Sequence, residues 1–195
     1  MGFPKRFFIT CFLWLFVFSV NAESLPRVLM KTTLGDMEIE LYSGKAPVTV
    51  ENFLNYVKSG FYKGSIFHRS VYGWIVQGGG YDKDLNELET GPPIANEADN
   101  RLKNVRGTIA MARTSDPHSA DSQFFINLQD NPSFDFKAKT RRGWGYCVFG
   151  RVIKGIKVAD AISEVRKHEV EGFGVNVPME PIIIEDVVIL DESGG

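Results

Sequence analysis

Cysteine and histidine are scarce in this chain of 195 residues, which contains two cysteines and three histidines. His68, His118 and His168 are fifty residues apart, and none is paired with another ligand type at the spacing of a metal site. The chain also lacks a G-x-S-x-G motif and a cysteine with a plausible base. Glycines 78–80 lack the lysine and the strand-to-helix context of a phosphate-binding loop. A metal centre, covalent catalysis and nucleotide chemistry are therefore not predicted, and no cofactor is expected.

Long hydrophobic runs are also missing, with one exception near the N-terminus. Lys5 and Arg6 precede the apolar run 7–20. Residues 20–22 (VNA) have side chains of small or moderate size, as is typical before a signal peptidase cleavage site. This pattern predicts a cleavable secretory signal peptide over residues 1–22. The alternative is an uncleaved membrane anchor, although the run is shorter than the ~18 residues expected of a spanning helix.

Positive charge is limited as well, and removal of residues 1–22 reduces it further. The removal takes away Lys5 and Arg6 but no acid, so 20 basic residues face 24 acidic ones and the formal charge changes from −2 to −4. No basic patch remains to bind nucleic acid. Cys147 remains as the single cysteine, so an intramolecular disulfide is impossible. We expect residues 23–195 to form one periplasmic or secreted domain, monomeric and free of the membrane after cleavage.

The pattern of apolar residues favours short strands. Alternation predicts two antiparallel strands on either side of a turn at 34–36. Thr49 is a candidate N-cap for a helix that ends at Gly60, and residues 158–165 predict a second helix. Residues 171–180, which include two glycines and a proline, predict a loop. Many short strands with two helices favour a mainly β fold, a β-barrel capped by helices.

The stretch 65–81, SIFHRSVYGWIVQGGGY, places one guanidinium, Arg69, and one carboxamide, Gln77, among apolar residues. Strand alternation predicts Phe67 and Arg69 on one face and His68 on the other. A permanent cation among apolar side chains is costly unless something needs its hydrogen-bond donors. Arg69 is therefore a candidate functional residue, and the alternative is that it pairs with a nearby carboxylate.

A second stretch, 107–127 (GTIAMARTSDPHSADSQFFIN), has two apolar segments around a polar loop. In the second segment, alternation predicts Gln123, Phe125 and Asn127 on one face, with the intervening residues on the other. One face can belong to the core while the other lines a site.

Together these motifs resemble the cyclophilin family of peptidyl-prolyl cis/trans isomerases. The motifs are FHR at 67–69, QGG beginning eight residues after the arginine, MAR at 111–113, SQFFIN at 122–127 and GYCVFG at 145–150. PIANEADNRLKN at 93–104 and GWGYCVFG at 143–150 are most like the compact bacterial, periplasmic members. The resemblance extends from Val28 to Leu190. It implies a closed eight-stranded antiparallel β-barrel with an α-helix at each end.

The resemblance also implies a prolyl isomerase site that needs no cofactor. Arg69 and Gln77 are the predicted catalytic residues: Arg69 donates a hydrogen bond to the prolyl nitrogen, and Gln77 holds the substrate carbonyl or steadies Arg69. The predicted substrate-binding residues are Phe67, Trp74, Ile75, Ala112, Arg113, Gln123, Phe125, Phe134 and Tyr146. The expected partners are proline-containing peptides and unfolded exported proteins. The alternative function is a peptide-binding chaperone or adaptor with incidental isomerase activity.

Two positions depart from the pattern of the better-known eukaryotic cyclophilins. Residues 133–135 (SFD) stand where those members have Trp-Leu-Asp, and Tyr146 stands where they have histidine. Phe134 can still pack on a proline ring, but the missing tryptophan predicts weak binding of cyclosporin. The site residues also have structural alternatives: core packing for Trp74, Ile75 and Phe125, and satisfaction of buried backbone groups for Gln77 and Gln123.

Overall fold

The computed structural model of the chain describes residues 25–190. The strands are β1 (Arg27–Thr32), β2 (Gly35–Leu41), β3 (Arg69–Val71), β4 (Ile75–Gly78), β5 (Thr108–Met111), β6 (Phe124–Asn127), β7 (Val148–Lys154), β8 (Lys167–Val170), β9 (Gly174–Pro178) and β10 (Ile184–Leu190). The α-helices are α1 (Pro47–Lys58) and α2 (Ile156–Glu164), and single 3₁₀ turns occur at Ala98–Asn100 and Pro132–Phe134. The predicted signal peptide lies outside the described residues.

Eight of the strands form one curled antiparallel sheet in the order β10-β1-β2-β7-β5-β6-β4-β3. The predicted mainly β fold, with eight antiparallel strands and two helices, is confirmed. Closure of the sheet into a barrel is not confirmed, because β10 and β3 are edge strands. The segments that precede these two edges meet through an isolated bridge between Ile66 and Ile183.

Alternation along the strands separates the interior of the curled sheet from its outer face. In β6, Phe124 and Ile126 belong to the large interior core, whereas Phe125 packs in a second, smaller cluster on the opposite side. This division confirms the two faces predicted for β6. Phe53 of α1 packs on the interior side, with its ring centroid 6.0 Å from that of Phe124. The outer cluster is consequently free to line a site.

Helix α1 begins three residues earlier than predicted, at Pro47. Proline suits the first helical position because the missing N–H needs no partner there. The N-cap residue, Ala46, has no side chain that can cap, and the prediction of Thr49 as the cap is wrong. Instead, the carboxylate of Glu97 accepts hydrogen bonds from the backbone N–H groups of Val48 and Thr49 at 3.2 and 2.8 Å. A remote acid therefore satisfies this helix N-terminus.

The predicted loop at 171–180 is also wrong, because β8 and β9 pair there as a hairpin. Gly172 and Gly174 have φ angles of +82°, which glycine adopts readily, so they form the turn. Phe173, at the tip, packs edge-on against Tyr81 with centroids 4.9 Å apart. The hairpin thus rests against the residue that follows the triple glycine. No helix within residues 25–190 combines the length and apolarity needed to cross a bilayer.

Candidate active site

A row of three half-buried polar side chains crosses neighbouring strands on the outer face of the sheet. Arg69 in β3 lies opposite Gln77 in β4, and Gln123 immediately precedes β6. Arg69 Nη1 donates a hydrogen bond to Gln77 Oε1 at 3.3 Å. Gln77 Nε2 in turn donates to Gln123 Oε1 at 3.0 Å. The row fixes one edge of the guanidinium and leaves other N–H groups without hydrogen-bond partners among residues 25–190.

Arg69 has no acidic partner among the described residues. None of the ion pairs formed within 25–190 includes it. Its Cζ atom instead lies 5.7 Å from the centroid of the Trp74 ring, at the distance of a cation–π contact. The alternative, that Arg69 only forms an ion pair with a nearby carboxylate, is therefore wrong within residues 25–190.

Beside Arg69, three aromatic rings line a small hollow whose walls also carry polar groups. The ring centroids of Phe125 and Phe134 are 5.6 Å apart, those of Phe125 and Tyr146 are 5.5 Å apart, and those of Phe134 and Tyr146 are 4.9 Å apart. The hollow has a volume of about 120 Å³. Its walls are formed by Arg69, Ile75, Gln77, Ala112, Arg113, Phe125, Phe134 and Tyr146. We call it the aromatic pocket.

A second pocket of about 170 Å³ adjoins the first. Gln77, Ala112 and Arg113 line both pockets and so stand between them. Arg113 is held there because its Nε donates to the carbonyl of Gly145 at 2.8 Å and its Cζ lies 4.7 Å from the Tyr146 ring centroid. The two pockets form one groove. The second pocket is completed by Gln123 and by residues that sequence analysis did not find: Glu87, Thr114, Ser119 and Asp121.

The triple glycine shapes this groove by letting other groups approach closely. A Cβ atom at Gly80 would overlap the side chain of Gln123, and one at Gly78 would lie 2.8 Å from the carbonyl oxygen of Ile66. Gly79 has a φ of +83°, which larger residues rarely adopt. Each position therefore requires glycine for its own reason. Gly80 leaves room for the side chain of Gln123, Gly78 leaves room for the Ile66 carbonyl, and Gly79 adopts a positive φ.

Two predicted site residues line neither pocket of the groove. Phe67 is completely buried in the interior core, with its ring edge-on to Phe124 at 6.0 Å. The prediction that it shares a face with Arg69 is wrong, because β3 begins only at Arg69 and alternation does not extend to the preceding residues. Trp74 lies behind the pocket, where it contacts Phe134 at 5.4 Å and supports Arg69.

His68, the residue before Arg69, is buried and lines neither pocket of the groove. Its Nδ1 atom has no hydrogen-bond partner, and its ring packs edge-on against Tyr81 at 4.7 Å. Burial, and then the neighbouring charge of Arg69, lowers the pKa of His68 to about 4. The imidazole is therefore neutral near pH 7.

Residues 25–190 offer neither a reactive thiol nor a metal site at the groove. Cys147 is buried beside the hydroxyl of Thr49, and burial raises the pKa of its thiol to about 12. Within residues 25–190, no three histidine, cysteine or acidic side chains are grouped so that they could hold a metal ion. The groove offers aromatic walls, the guanidinium groups of Arg69 and Arg113, and, in the second pocket, the carboxylates of Glu87 and Asp121.

Comparison with known proteins agrees with this arrangement. Residues 27–189 match the family model described as cyclophilin type peptidyl-prolyl cis-trans isomerase/CLD. The chain is 50% identical over 169 residues to peptidyl-prolyl cis-trans isomerase A of Dickeya dadantii (strain 3937), with 87% of each chain covered. It is 48% identical over 162 residues to isomerase B of Escherichia coli (strain K12), which covers 83% of this chain and 98% of the relative.

A solved structure gives the same result for the fold. It is a cyclophilin type peptidyl-prolyl cis-trans isomerase of Cryptosporidium parvum, crystallised in the presence of the dipeptide Ala-Pro. The two chains superpose with a TM-score of 0.67 and 29% identity, over 85% of this chain and 99% of the other. The family match covers nearly all of the described residues, and the sheet, the groove and Arg69 lie within it. This chain is therefore a member of the cyclophilin family of peptidyl-prolyl cis-trans isomerases.

Proposed function

We propose that this isomerase acts on X-Pro bonds of exported proteins during folding and that Arg69 lowers the rotation barrier. The observation that carries the proposal is the half-buried guanidinium of Arg69, which borders the aromatic pocket without an acidic partner among residues 25–190. A pocket that only bound an apolar side chain would gain nothing from a cation in its wall. The position of Arg69 supports a role in the reaction.

The reaction requires neither a nucleophile nor a cofactor. Rotation about a peptide bond has a barrier of ~18–20 kcal/mol because the nitrogen shares its lone pair with the carbonyl. As the X-Pro bond twists, the lone pair returns to the nitrogen, which becomes pyramidal and accepts a hydrogen bond. A donor aimed at that nitrogen binds the twisted amide more tightly than the planar one, and this difference accelerates the reaction.

In this proposal, Arg69 is the donor and Gln77 sets its direction. The hydrogen bond to Gln77 holds one side of the planar guanidinium, and Gln123 holds Gln77 in turn. The remaining guanidinium N–H groups then face the substrate. Because the fork is already oriented, little side-chain entropy is lost when the transition state forms.

The apolar walls place the proline ring beside that donor. Phe125, Phe134 and Tyr146 contact the ring, while Ala112 and Arg113 lie along the residues that precede proline. The second pocket accommodates the continuation of the peptide. The uncharged, aromatic surface binds the planar and twisted states about equally, so it contributes to KM more than to kcat.

A protease-coupled assay with short X-Pro peptides tests the catalytic role. Removing a preorganised transition-state donor typically costs ~100-fold or more in rate. We expect Arg69→Ala to lose activity to that extent while peptide binding persists, and Arg27→Ala, an exposed arginine of β1, to leave both unchanged. A parent chain that binds such peptides but does not accelerate their isomerisation would support the chaperone or adaptor alternative.

The exported location depends on residues 1–22 and needs a separate test. We expect the chain recovered from the periplasm or the medium to begin at Glu23. N-terminal sequencing of the recovered chain checks this expectation. A chain that keeps Met1 at the membrane would support the uncleaved-anchor alternative. A chain that stays in the cytoplasm would contradict the proposal that the clients are exported proteins.

A further inference from the structure

Beneath the aromatic pocket, three buried asparagines form a continuous chain of hydrogen bonds. Asn104, Asn127 and Asn131 are 2%, 0% and 3% exposed. Asn131 Nδ2 donates to Asn127 Oδ1 at 2.8 Å, and Asn127 Nδ2 donates to Asn104 Oδ1 at 3.2 Å. Buried carboxamides are costly unless they are bonded, so this chain needs a structural or functional explanation. We call it the asparagine chain.

One end of the asparagine chain holds the ring that supports Arg69, and the other end holds the outer wall of the aromatic pocket. At one end, Trp74 Nε1 donates to Asn131 Oδ1 at 2.7 Å, and the same Trp74 ring lies under the guanidinium of Arg69. At the other end, Asn104 Nδ2 approaches the backbone carbonyls of Phe134 and Tyr146 at 3.1 and 3.3 Å. The chain therefore spans the groove from the support of Arg69 to the two outer rings.

The outer wall depends on such bonds because it lies outside the main sheet. Phe134 ends a single 3₁₀ turn, and Tyr146 precedes β7. Their mutual backbone bond, from Tyr146 N–H to the Phe134 carbonyl at 2.8 Å, ties the two to each other but not to the sheet. The backbone of Cys147, next to Tyr146, is tied to Met111 of β5 at 3.0 Å. Asn104 adds a side-chain tie through Asn127, a residue of β6.

We propose that Asn104 is a positioning residue that sets the separation of Phe134 and Tyr146 from Phe125, and so determines how tightly the pocket holds proline. This inference rests on the proposed assignment of the aromatic pocket to the proline ring. Asn104 itself does not line the pocket. It acts on the substrate only through the carbonyls of the two wall residues.

The decisive experiment compares Asn104→Ala with the parent chain in steady-state isomerisation and peptide binding. The walls contact proline in both the planar and the twisted state, so KM and Kd should rise together with kcat changed less than about twofold. A tenfold rise is expected, since it corresponds to the loss of roughly one net hydrogen bond. Asn104→Ser, whose hydroxyl is too short to reach both carbonyls, serves as a milder second variant if the alanine variant does not fold.

The matched control is Thr32→Val, which removes a buried hydroxyl from the β1–β2 turn. Thr32 is 4% exposed and donates to the Gly35 carbonyl at 2.7 Å. We expect it to lower stability without changing KM. A KM unchanged in the Asn104 variants, with stability lowered as in the control, would show that the asparagine chain is only structural.

The indole N–H resonance of Trp74 provides a spectroscopic check. The asparagine chain links Asn104 to this indole through two intermediate carboxamides, so substitution of Asn104 should shift the resonance, whereas Thr32→Val should not. An unshifted signal would contradict the coupling.

The variant Phe125→Ala separates this inference from the proposed function. If Phe125→Ala leaves KM unchanged, the assignment of the aromatic pocket to the proline ring fails. If it raises KM while Asn104→Ala does not, only the role of the asparagine chain fails.

Discussion

The neutral, buried imidazole of His68 makes the stability of the domain depend on pH. His68 is 5% exposed, its Nδ1 has no partner, and aromatic rings of Tyr81 and Phe173 pack against it. Burial, followed by the charge of Arg69, lowers its pKa from 6.5 to about 4. The folded state therefore resists protonation at a position where the unfolded chain accepts a proton readily.

The direction and size of the effect follow from this difference. Between pH 6.5 and about 4, the unfolded state binds more protons at His68 than the folded state does. The free energy of unfolding therefore falls as the pH is lowered through this range. A pKa lowered from 6.5 to about 4 corresponds to about 3 kcal/mol between the two ends of the range. This is a large part of the stability of an ordinary domain.

Urea unfolding at pH 7, 5.5 and 4 measures the effect, with His68→Phe as the test variant. Phenylalanine fits among the aromatic neighbours and does not titrate, so the variant should lose up to about 3 kcal/mol less stability than the parent on acidification. His168→Gln, at an exposed position, is the matched control and should follow the parent. A parent and a His68→Phe variant with parallel pH dependences would refute the argument, as would an NMR titration of His68 centred near 6.5.

Three further predictions concern other parts of the domain. Gly80→Ala should displace Gln123, whose side chain the new methyl group would overlap, and should lower kcat/KM at least tenfold in the peptide assay while the chain stays folded. Glu97→Ala should lower the free energy of unfolding by about 2 kcal/mol in urea titrations, because three hydrogen bonds to the start of α1 are lost; an unchanged midpoint would contradict this role. Cys147 should react with thiol reagents only as fast as the domain unfolds, because its thiol is buried and has a pKa of about 12; rapid labelling of the native state would show that the thiol is accessible.

Sequence patterns predicted the parts of the fold that depend on residues close together in the chain. The two faces of β6 followed from alternation, and the placement of Arg69 opposite Gln77 is consistent with their spacing in a hairpin. Motif resemblance added the pocket residues, of which Phe125, Phe134 and Tyr146 indeed lie together. The strand features depend on residues a few positions apart, and the pocket residues belong to motifs of the cyclophilin family.

The failures have different physical causes, and two of them are contacts between residues far apart in the chain. Glu97 caps α1 from 48 residues away, so no local pattern could replace Thr49 with it. Phe67 turns inward because the strand does not yet include it. The asparagine chain was missed because asparagine is ordinarily a surface or turn residue, and only tertiary structure shows that Asn104 is buried beneath the pocket.

The most direct test of the account is to replace Arg69 with lysine and measure turnover and binding separately on one X-Pro peptide by exchange NMR. Lysine keeps the positive charge but loses the planar fork that Gln77 orients. If a directed hydrogen bond to the twisted amide drives the reaction, kcat should fall roughly 100-fold or more while Kd changes less than about threefold. A lysine variant with nearly parental kcat would contradict the claim, because charge alone would then suffice.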